Sequence, residues 1–442
     1  MNQSVRSLWV LLACFFFVRH APAGIEAQDL SQVEQQIVQY VDAHNEDAIA
    51  LLERIVNINS GTMNPEGVQE VGRVLRAEFD ALGFATRWIS LPETDRGGHL
   101  FAEIKGGQGK TVLMIGHLDT VFEKDSPFQS WDRDGDSAKG PGVEDMKGGD
   151  VVMLYAMKAL QAAGVLEDLN IIVAYTGDEE DPGDPVDISR RDMIEAAKRA
   201  DVVLGFEGGV GSMHSATIAR RGYTDWYLDV IGERGHSSLI FTSQYGAGAI
   251  NEAARILNSF YEELSGEEYL TFGPGVIMGG TATSYDTAQA RGTAFGKTNV
   301  ISQTVTVAGD LRTLTFEQRD RTRVKMQEIV ARHLPMTSAE ISFRDSYPPM
   351  APTAGNQQLF EALDQVSRDM GYGPIEVVDP GRRGAADISF AAPYADALAG
   401  LGPFGDGGHT PDEEVDLRSL SVVTKRAAVL IYRLAKEGVG TD

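Results

Sequence analysis

The chain has 442 residues, 43% of them hydrophobic, with a single cysteine and a formal charge of −25. That size and composition give a large core divided over two or three domains and exclude disordered, solenoid and disulfide-stapled classes. The acidic surface excludes nucleic acid as a partner and opposes stable association with an anionic membrane.

Met1 to Arg6 carries one positive side chain, Leu8 to Val18 is an unbroken apolar run, and Ala21-Pro22-Ala23 places small residues where a signal peptidase reads. Residues 1–23 are therefore expected to be a signal peptide, with the mature protein periplasmic or secreted. A retained membrane anchor is an alternative, for which the run is short. Lipid attachment at Cys14 is another, against which the apolar residues after it count. Cleavage would remove Arg6, Arg19 and Cys14, taking the charge to −27 and leaving no thiol. A transition metal would then be held by His and carboxylates alone, and an anionic substrate would need a local cationic pocket.

Residues 31–56 place apolar side chains at helical spacing and predict one or two amphipathic helices; a further helix fits Glu66 to Leu82, ended by Gly83. The runs 111–117, 169–176 and 201–206 read as buried strands, with a helix over 149–164 between the first two. Strands alternating with helices predict an α/β fold with a mostly parallel sheet covered on both faces. The pattern then changes. Residues 222–231, 300–313 and 339–344 read as strands and 248–264 and 316–333 as helices, an α+β unit with an antiparallel sheet. Helices return at 357–370 and 417–436. The expected organisation is a catalytic unit of 24–216 and 347–442, interrupted by an inserted lid of 217–346.

Chemistry concentrates at the strand ends, where open α/β sheets place their ligands. The first strand ends in His117-Leu118-Asp119, and Asp119 can hold the second ring nitrogen of a metal-bound His117; alone, this pattern fits a capped histidine equally well. Asp145 sits in a glycine-rich loop, Gly140 to Gly149, without the spacing of a phosphate cradle. The second strand ends in Gly177-Asp178-Glu179-Glu180-Asp181, which is costly at a buried strand end unless a cation sits there, although a solvated acidic loop is the plain alternative. Glu207 follows the third strand, and His409 lies in another glycine-rich loop. Two histidines and three carboxylates without sulfur suit zinc, cobalt or manganese. Five ligands exceed a one-ion site and fit two ions about 3.5–4 Å apart.

GHLDT at 116–120, GPGVEDMKGG at 140–149, GDEE at 177–180, FEGG at 206–209 and GHT at 408–410 together resemble the di-zinc amidohydrolases that include carboxypeptidase G, acetylornithine deacetylase, succinyl-diaminopimelate desuccinylase and the aminoacylases. The likeness spans nearly the whole mature chain and is nearest to carboxypeptidase G, a glutamate carboxypeptidase. It implies two Zn²⁺ per subunit, with Co²⁺ or Mn²⁺ as substitutes. His117 and Glu207 would hold one ion and Glu180 and His409 the other, with Asp145 bridging across a cis peptide to Met146. Glu179 would be the general base and Asp119 would support His117. In the lid, His236 matches a histidine that completes a neighbouring subunit's site, implying a homodimer. Asn299 and Arg312 match a pair that grips the substrate's free carboxylate. The implied reaction is hydrolysis of an amide bond beside that carboxylate, in a small peptide or N-acyl amino acid. Alternatives are a deacylase or dipeptidase of the same kind, a lidless di-zinc aminopeptidase, and a non-catalytic binding protein. Two departures touch substrate choice: the acidic stretch 181–187, and Arg382-Arg383, which could supply a cationic pocket. His20, His44, His99, His214 and His333 read as surface or structural.

Overall fold

The computed structural model describes residues 28–107, 109–287 and 289–436. The expected signal peptide lies outside the described residues. Among those residues no helix is long and apolar enough to cross a membrane. The strands of the two main sheets, in chain order, are β1 (Ala85–Leu91), β2 (Arg96–Lys105), β3 (Thr111–His117), β4 (Asn170–Thr176), β5 (Val202–Gly205), β6 (Gly222–Gly232), β7 (Thr271–Gly280), β8 (Thr304–Thr313), β9 (Thr337–Tyr347) and β10 (Asp396–Leu398). The helices are α1 (Gln32–Ala43), α2 (Asn45–Val56), α3 (Pro65–Ala81), α4 (Lys147–Ala162), α5 (Val186–Ala197), α6 (Ala249–Leu264), α7 (Phe316–Val330), α8 (Ala354–Asp369), α9 (Ile388–Ala391) and α10 (Leu417–Lys436).

The larger sheet has the order β1-β2-β4-β3-β5-β10. Its continuous apolar runs arise because both faces are covered. In β3, Val112 and Met114 join the core built with α1 to α4, α8 and α10. Leu113 and Ile115 point the other way, onto Met193 and Ala196 of α5 and Ile388 and Phe390 of α9. Each such side chain stabilises the fold by about 1.5–3 kcal/mol on burial. The mostly parallel expectation holds for β4, β3, β5 and β10 and needs correcting at the other edge, where β1 and β2 form an antiparallel hairpin and β2 meets β4 antiparallel. Residues 85–105 mix charges, glycines and apolar residues without a clean period, so no strand is legible there.

α10 packs against α4 and α1. Arg433 of α10 donates to Glu34 of α1 at 2.6 Å and to Asp369 at 2.7 Å, and the backbone N–H of Gln28 reaches the same Asp369 at 2.7 Å.

The second sheet, β7-β8-β6-β9, is antiparallel throughout. The alternation of β6 turns Trp226, Leu228 and Val230 onto α6 and α7. The intervening Tyr223, Asp225 and Tyr227 fall on the helix-free face. Sequence patterning misses β7 and a hairpin of Ala282–Asp286 with Arg291–Phe295. In β7 the run TFGPGVIMGG looks like loop, but Pro274 is tolerated because β7 is an edge strand. The two segments that pass between the sheets are tied to each other: Arg220 and Met350 exchange backbone hydrogen bonds of 2.9 and 3.0 Å.

Candidate active site

His117 is the last residue of β3, with its side chain 2% exposed. Its Nδ1 lies 3.1 Å from the backbone oxygen of Asp119 and its Nε2 lies 3.2 Å from Oδ1 of Asp145. Asp119 is buried, and its carboxylate accepts from Thr62 Oγ1 at 2.6 Å and from the backbone N–H groups of Glu179 and Glu180 at 3.0 and 3.1 Å. Asp119 therefore backs His117 and also pins the turn that carries the paired glutamates. Thr62 carries no motif and was not legible as part of the site.

Asp145 precedes α4, and its peptide to Met146 is cis, as the resemblance implies. Its position is set by a buried carboxylate that the sequence does not flag. Glu413 accepts the N–H groups of Glu144 at 2.9 Å and Asp145 at 3.1 Å through one oxygen and that of Gly142 at 3.2 Å through the other. α4 starts at Lys147, two residues earlier than expected, and Gly149 lets it press close: a Cβ there would lie 1.9 Å from the carbonyl oxygen of Phe206. Asp145 Oδ2 lies 3.1 Å from His409 Nε2, which also lies 3.1 Å from Glu180 Oε2. His409 has φ of 64°, a left-handed conformation costing about 1–3 kcal/mol in a non-glycine residue and held here by its surroundings. Its loop hangs between short strands at 405–406 and 414–416, which pair into a small sheet with 132–134 and 137–139.

The turn after β4 is anchored from below. Arg190 of α5 is fully buried between Asp178 and Asp387, donating to each at 2.6 Å, and also donates to the backbone oxygen of Asp178 at 2.9 Å. Tyr347, at the end of β9, donates to the backbone oxygen of Glu179 at 2.8 Å. His99 is buried and accepts the N–H of Gly177 at 3.1 Å, which makes it structural, as expected. Arg190, Asp387 and Tyr347 are far apart in sequence and carry no motif, so pattern reading could not join them.

The electrostatics follow from crowding acids in a dry place. Burial pushes the Glu179 carboxyl well above the usual range, with Asp387 and Glu207 adding repulsion. Burial likewise pushes Glu180 up to about 7, Glu413 up to about 7 and Glu144 up to about 8. For Asp145 burial works upward, but the two imidazoles on its oxygens win and hold it below the ordinary carboxylate range. Lys147, buried and donating to the backbone oxygen of Ile58 at 3.0 Å, is pushed down to about 7 by burial.

These residues fit a divalent cation. His117, Asp145 and Glu180 each offer a donor atom within 4.8 Å of the others, His409 faces two of them, and Glu180 Oε1 is buried without a hydrogen-bond partner. Glu207 is placed differently: its Oε2 takes the guanidinium of Arg220, and that of Arg383 at 3.1 Å. Arg383 is thus committed to Glu207 and mostly buried, so only the exposed Arg382 remains as a free cationic contribution from that loop.

In the second sheet, His236 and Asn299 are exposed and adjacent, since the N–H of Ser237 donates to the oxygen of Asn299 at 3.0 Å. They lie beyond Gly232, at one end of β6. Arg312 lies opposite Tyr223, at the other end. Nine residues of strand separate the ends, about 30 Å. One chain therefore does not bring Asn299 and Arg312 together. Arg312 donates to Asp310 at 2.9 Å and stacks over the ring of Tyr223 at 4.9 Å. On the other side of Tyr223, Tyr347 lies opposite the same residue, and its hydroxyl donates to the backbone oxygen of Glu179 at 2.8 Å. Arg312 thus sits on the side of the sheet turned toward the strand-end cluster.

Residues 113–433 match the description "Peptidase family M20/M25/M40". The chain belongs to that family. As an M20 peptidase it is a metal-binding hydrolase of the metallopeptidase and amidohydrolase kind. It is similar to carboxypeptidase G2 from Pseudomonas sp. (strain RS-16), 27% identical over 394 residues that cover 87% of this chain and 89% of that one. It is also similar to a succinyl-diaminopimelate desuccinylase from Thioalkalivibrio sulfidiphilus, 25% identical over 405 residues, 88% of this chain and all of the relative. Among solved structures, the aminopeptidase PepT of Bacillus cereus shares the fold with a TM-score of 0.69 at 17% identity, covering 89% of this chain and 99% of that one. A dinuclear metal-binding M20 peptidase of Bacillus subtilis does so with a TM-score of 0.63 at 14% identity, with the same coverage.

Proposed function

We infer that this M20 peptidase removes a C-terminal residue from a small peptide or acyl amino acid, cutting the amide bond beside a free carboxylate in the manner of a glutamate carboxypeptidase. The observation that carries the reading is Arg312. It is a cation in a chain of net charge −25, on the helix-free face beside Tyr223, whose other neighbour Tyr347 reaches the turn of the paired glutamates. A guanidinium there can grip a carboxylate with two parallel hydrogen bonds.

Two zinc ions would be held by this cluster, one by His117, Asp145 and Glu207 and the other by Asp145, Glu180 and His409. Divalent ions in such a site supply Lewis acidity, polarising a carbonyl oxygen and making water more acidic. Glu179 is the general base, and its burial keeps it a strong proton acceptor. Asp119 keeps His117 in one orientation. The lid comprises 217–346 and the catalytic unit 24–216 with 347–442. Because Asn299 and His236 lie a strand length from Arg312, they are assigned to the partner's site in a homodimer. Export to a periplasm or the medium is proposed on the 1–23 segment.

A panel of N-acyl-glutamate, acyl-alanine, acyl-glutamine, dipeptides and a C-terminal amide tests the reading. Preferred turnover of acyl-glutamate and none of the amide supports it. Equal turnover of the amide would overturn the carboxylate requirement. Faster cleavage of simple acyl amino acids or dipeptides would move the protein to the deacylase or dipeptidase alternative.

A further inference from the structure

Two side chains assigned to the same ion, His117 and Glu207, are backed by opposite charges. His117 has the buried carboxylate of Asp119 behind it. A negative group behind an imidazole raises its basicity and strengthens it as a ligand. Glu207 has the reverse arrangement. Two guanidinium groups, from Arg220 and Arg383, converge on the same oxygen, Oε2. Both are held in place. Arg220 is 2% exposed, and its other terminal nitrogen donates to the backbone oxygens of Gly384 and Ala385 at 3.3 Å each, which fixes the loop that carries Arg383. The backbone of Arg220 is in turn locked to Met350 where the chain passes between the two sheets. Glu207 thus has one oxygen engaged by two cations and only Oε1 left to offer.

Resting on the two-ion reading, we propose that Arg220 and Arg383 form a clamp that makes Glu207 a weak, one-oxygen ligand. The ion on the His117 and Glu207 side is then the loosely held, exchangeable one. The clamp acts in two ways. It denies the ion a bidentate carboxylate, and it sets two positive charges directly behind the donor, where in a water-poor site they repel a cation strongly. Among the described residues no guanidinium opposes the other half in this way: Glu180 Oε1 is buried and unpartnered, and Glu180 Oε2 faces His409. Arg220 and Arg383 are positioning residues in this scheme.

Zinc release from the loaded protein tests the clamp. The full chain, shown to carry two zinc ions, is mixed with an excess of a chromogenic chelator and release is followed in time. The expected result is two phases of one ion each. Glu207→Gln should carry a single zinc and show only the slow phase. Arg383→Met should slow the fast phase roughly tenfold or more, the lower end of the range for partners behind a ligand. Arg383→Lys keeps the charge and should stay close to the native rate. A merely structural role predicts the opposite sign, because loosening the loop would speed release. A fast phase that is unchanged or faster in Arg383→Met overturns the clamp, as does single-phase loss of both ions from the native protein. A native chain that never holds more than one zinc overturns the two-ion reading instead.

Discussion

The strand-end cluster of the larger sheet and the residues proposed for substrate capture on the second sheet are built in contrasting ways. His117, Asp119 and the Arg190–Asp178–Asp387 group are at or near zero exposure, and each is held by several partners. His236 and Asn299 are exposed, and Arg312 is ion-paired with Asp310 at 2.9 Å. The first part must keep like charges together in a dry place and does so with fixed counter-groups. The second has no such burden and can be left to meet a substrate or a second subunit. Substitutions that remove a metal-facing or anchoring side chain of the first part should therefore alter metal content or stability, a change at the proposed base Glu179 should alter turnover alone, and changes at His236 or Arg312 should alter catalysis without loss of stability.

The largest effect on turnover is expected at the paired glutamates. Glu179→Gln should keep the fold and both ions and lose about 10²–10⁴-fold in kcat, the usual worth of a positioned base. Glu180→Gln should instead lower the zinc content. If metal analysis cannot tell the two variants apart, the division of roles between them is wrong.

Arg190→Ala leaves Asp178 and Asp387 as uncompensated buried charges. Urea unfolding should show a loss of about 3–5 kcal/mol, the cost of breaking a buried pair. A loss below about 1 kcal/mol, the value of an exposed pair, would mean the group is not the anchor described above.

For the lid, His236→Ala should lower kcat by an amount equivalent to about 2.7–4 kcal/mol, the value of one donor to a developing oxyanion, with no change in unfolding midpoint. Mixing it with Glu179→Gln chains should restore partial activity, since a hybrid dimer holds one intact site. No recovery in a preparation shown to contain hybrids would remove the cross-subunit assignment. The smallest effect is expected for Arg312→Ala: a rise in KM worth about 1.5–3 kcal/mol for substrates with a free carboxylate, and little change for their amides. An equal rise for both would show that Arg312 supports the sheet rather than the substrate.

The same contrast explains what could be read from sequence. The strand ends were legible because buried strands leave continuous apolar runs, and a run that stops at His117 or at Gly177-Asp178-Glu179 marks its own end. Asp145, Glu180 and His409 come together as their motifs imply. Glu413, Arg190, Asp387, Arg220 and Tyr347 were not legible. Each is a lone polar residue whose burial only the assembled fold reveals. β1, β2 and β7 were lost for a different reason: β1 and β7 are edge strands, where charge and proline are tolerated, and β2, paired on both sides, opens on Arg96-Gly97-Gly98, which erases its period. Arg382-Arg383 was read as one cationic feature, yet the loop sends Arg383 inward to Glu207 and leaves Arg382 outside.

The meeting of α1 and α10 has a consequence for engineering. Arg433 ties the last helix to Glu34 of the first, and Asp369 binds both Arg433 and the backbone of Gln28. The two ends of the described chain are thus stapled side by side through α8. In a chain trimmed to residues 28–436, a short flexible linker between them would close a ring at little entropic cost. The ring could then be reopened at the exposed 282–295 hairpin, moving the cut ends to the inserted sheet while every strand of the catalytic sheet stays continuous.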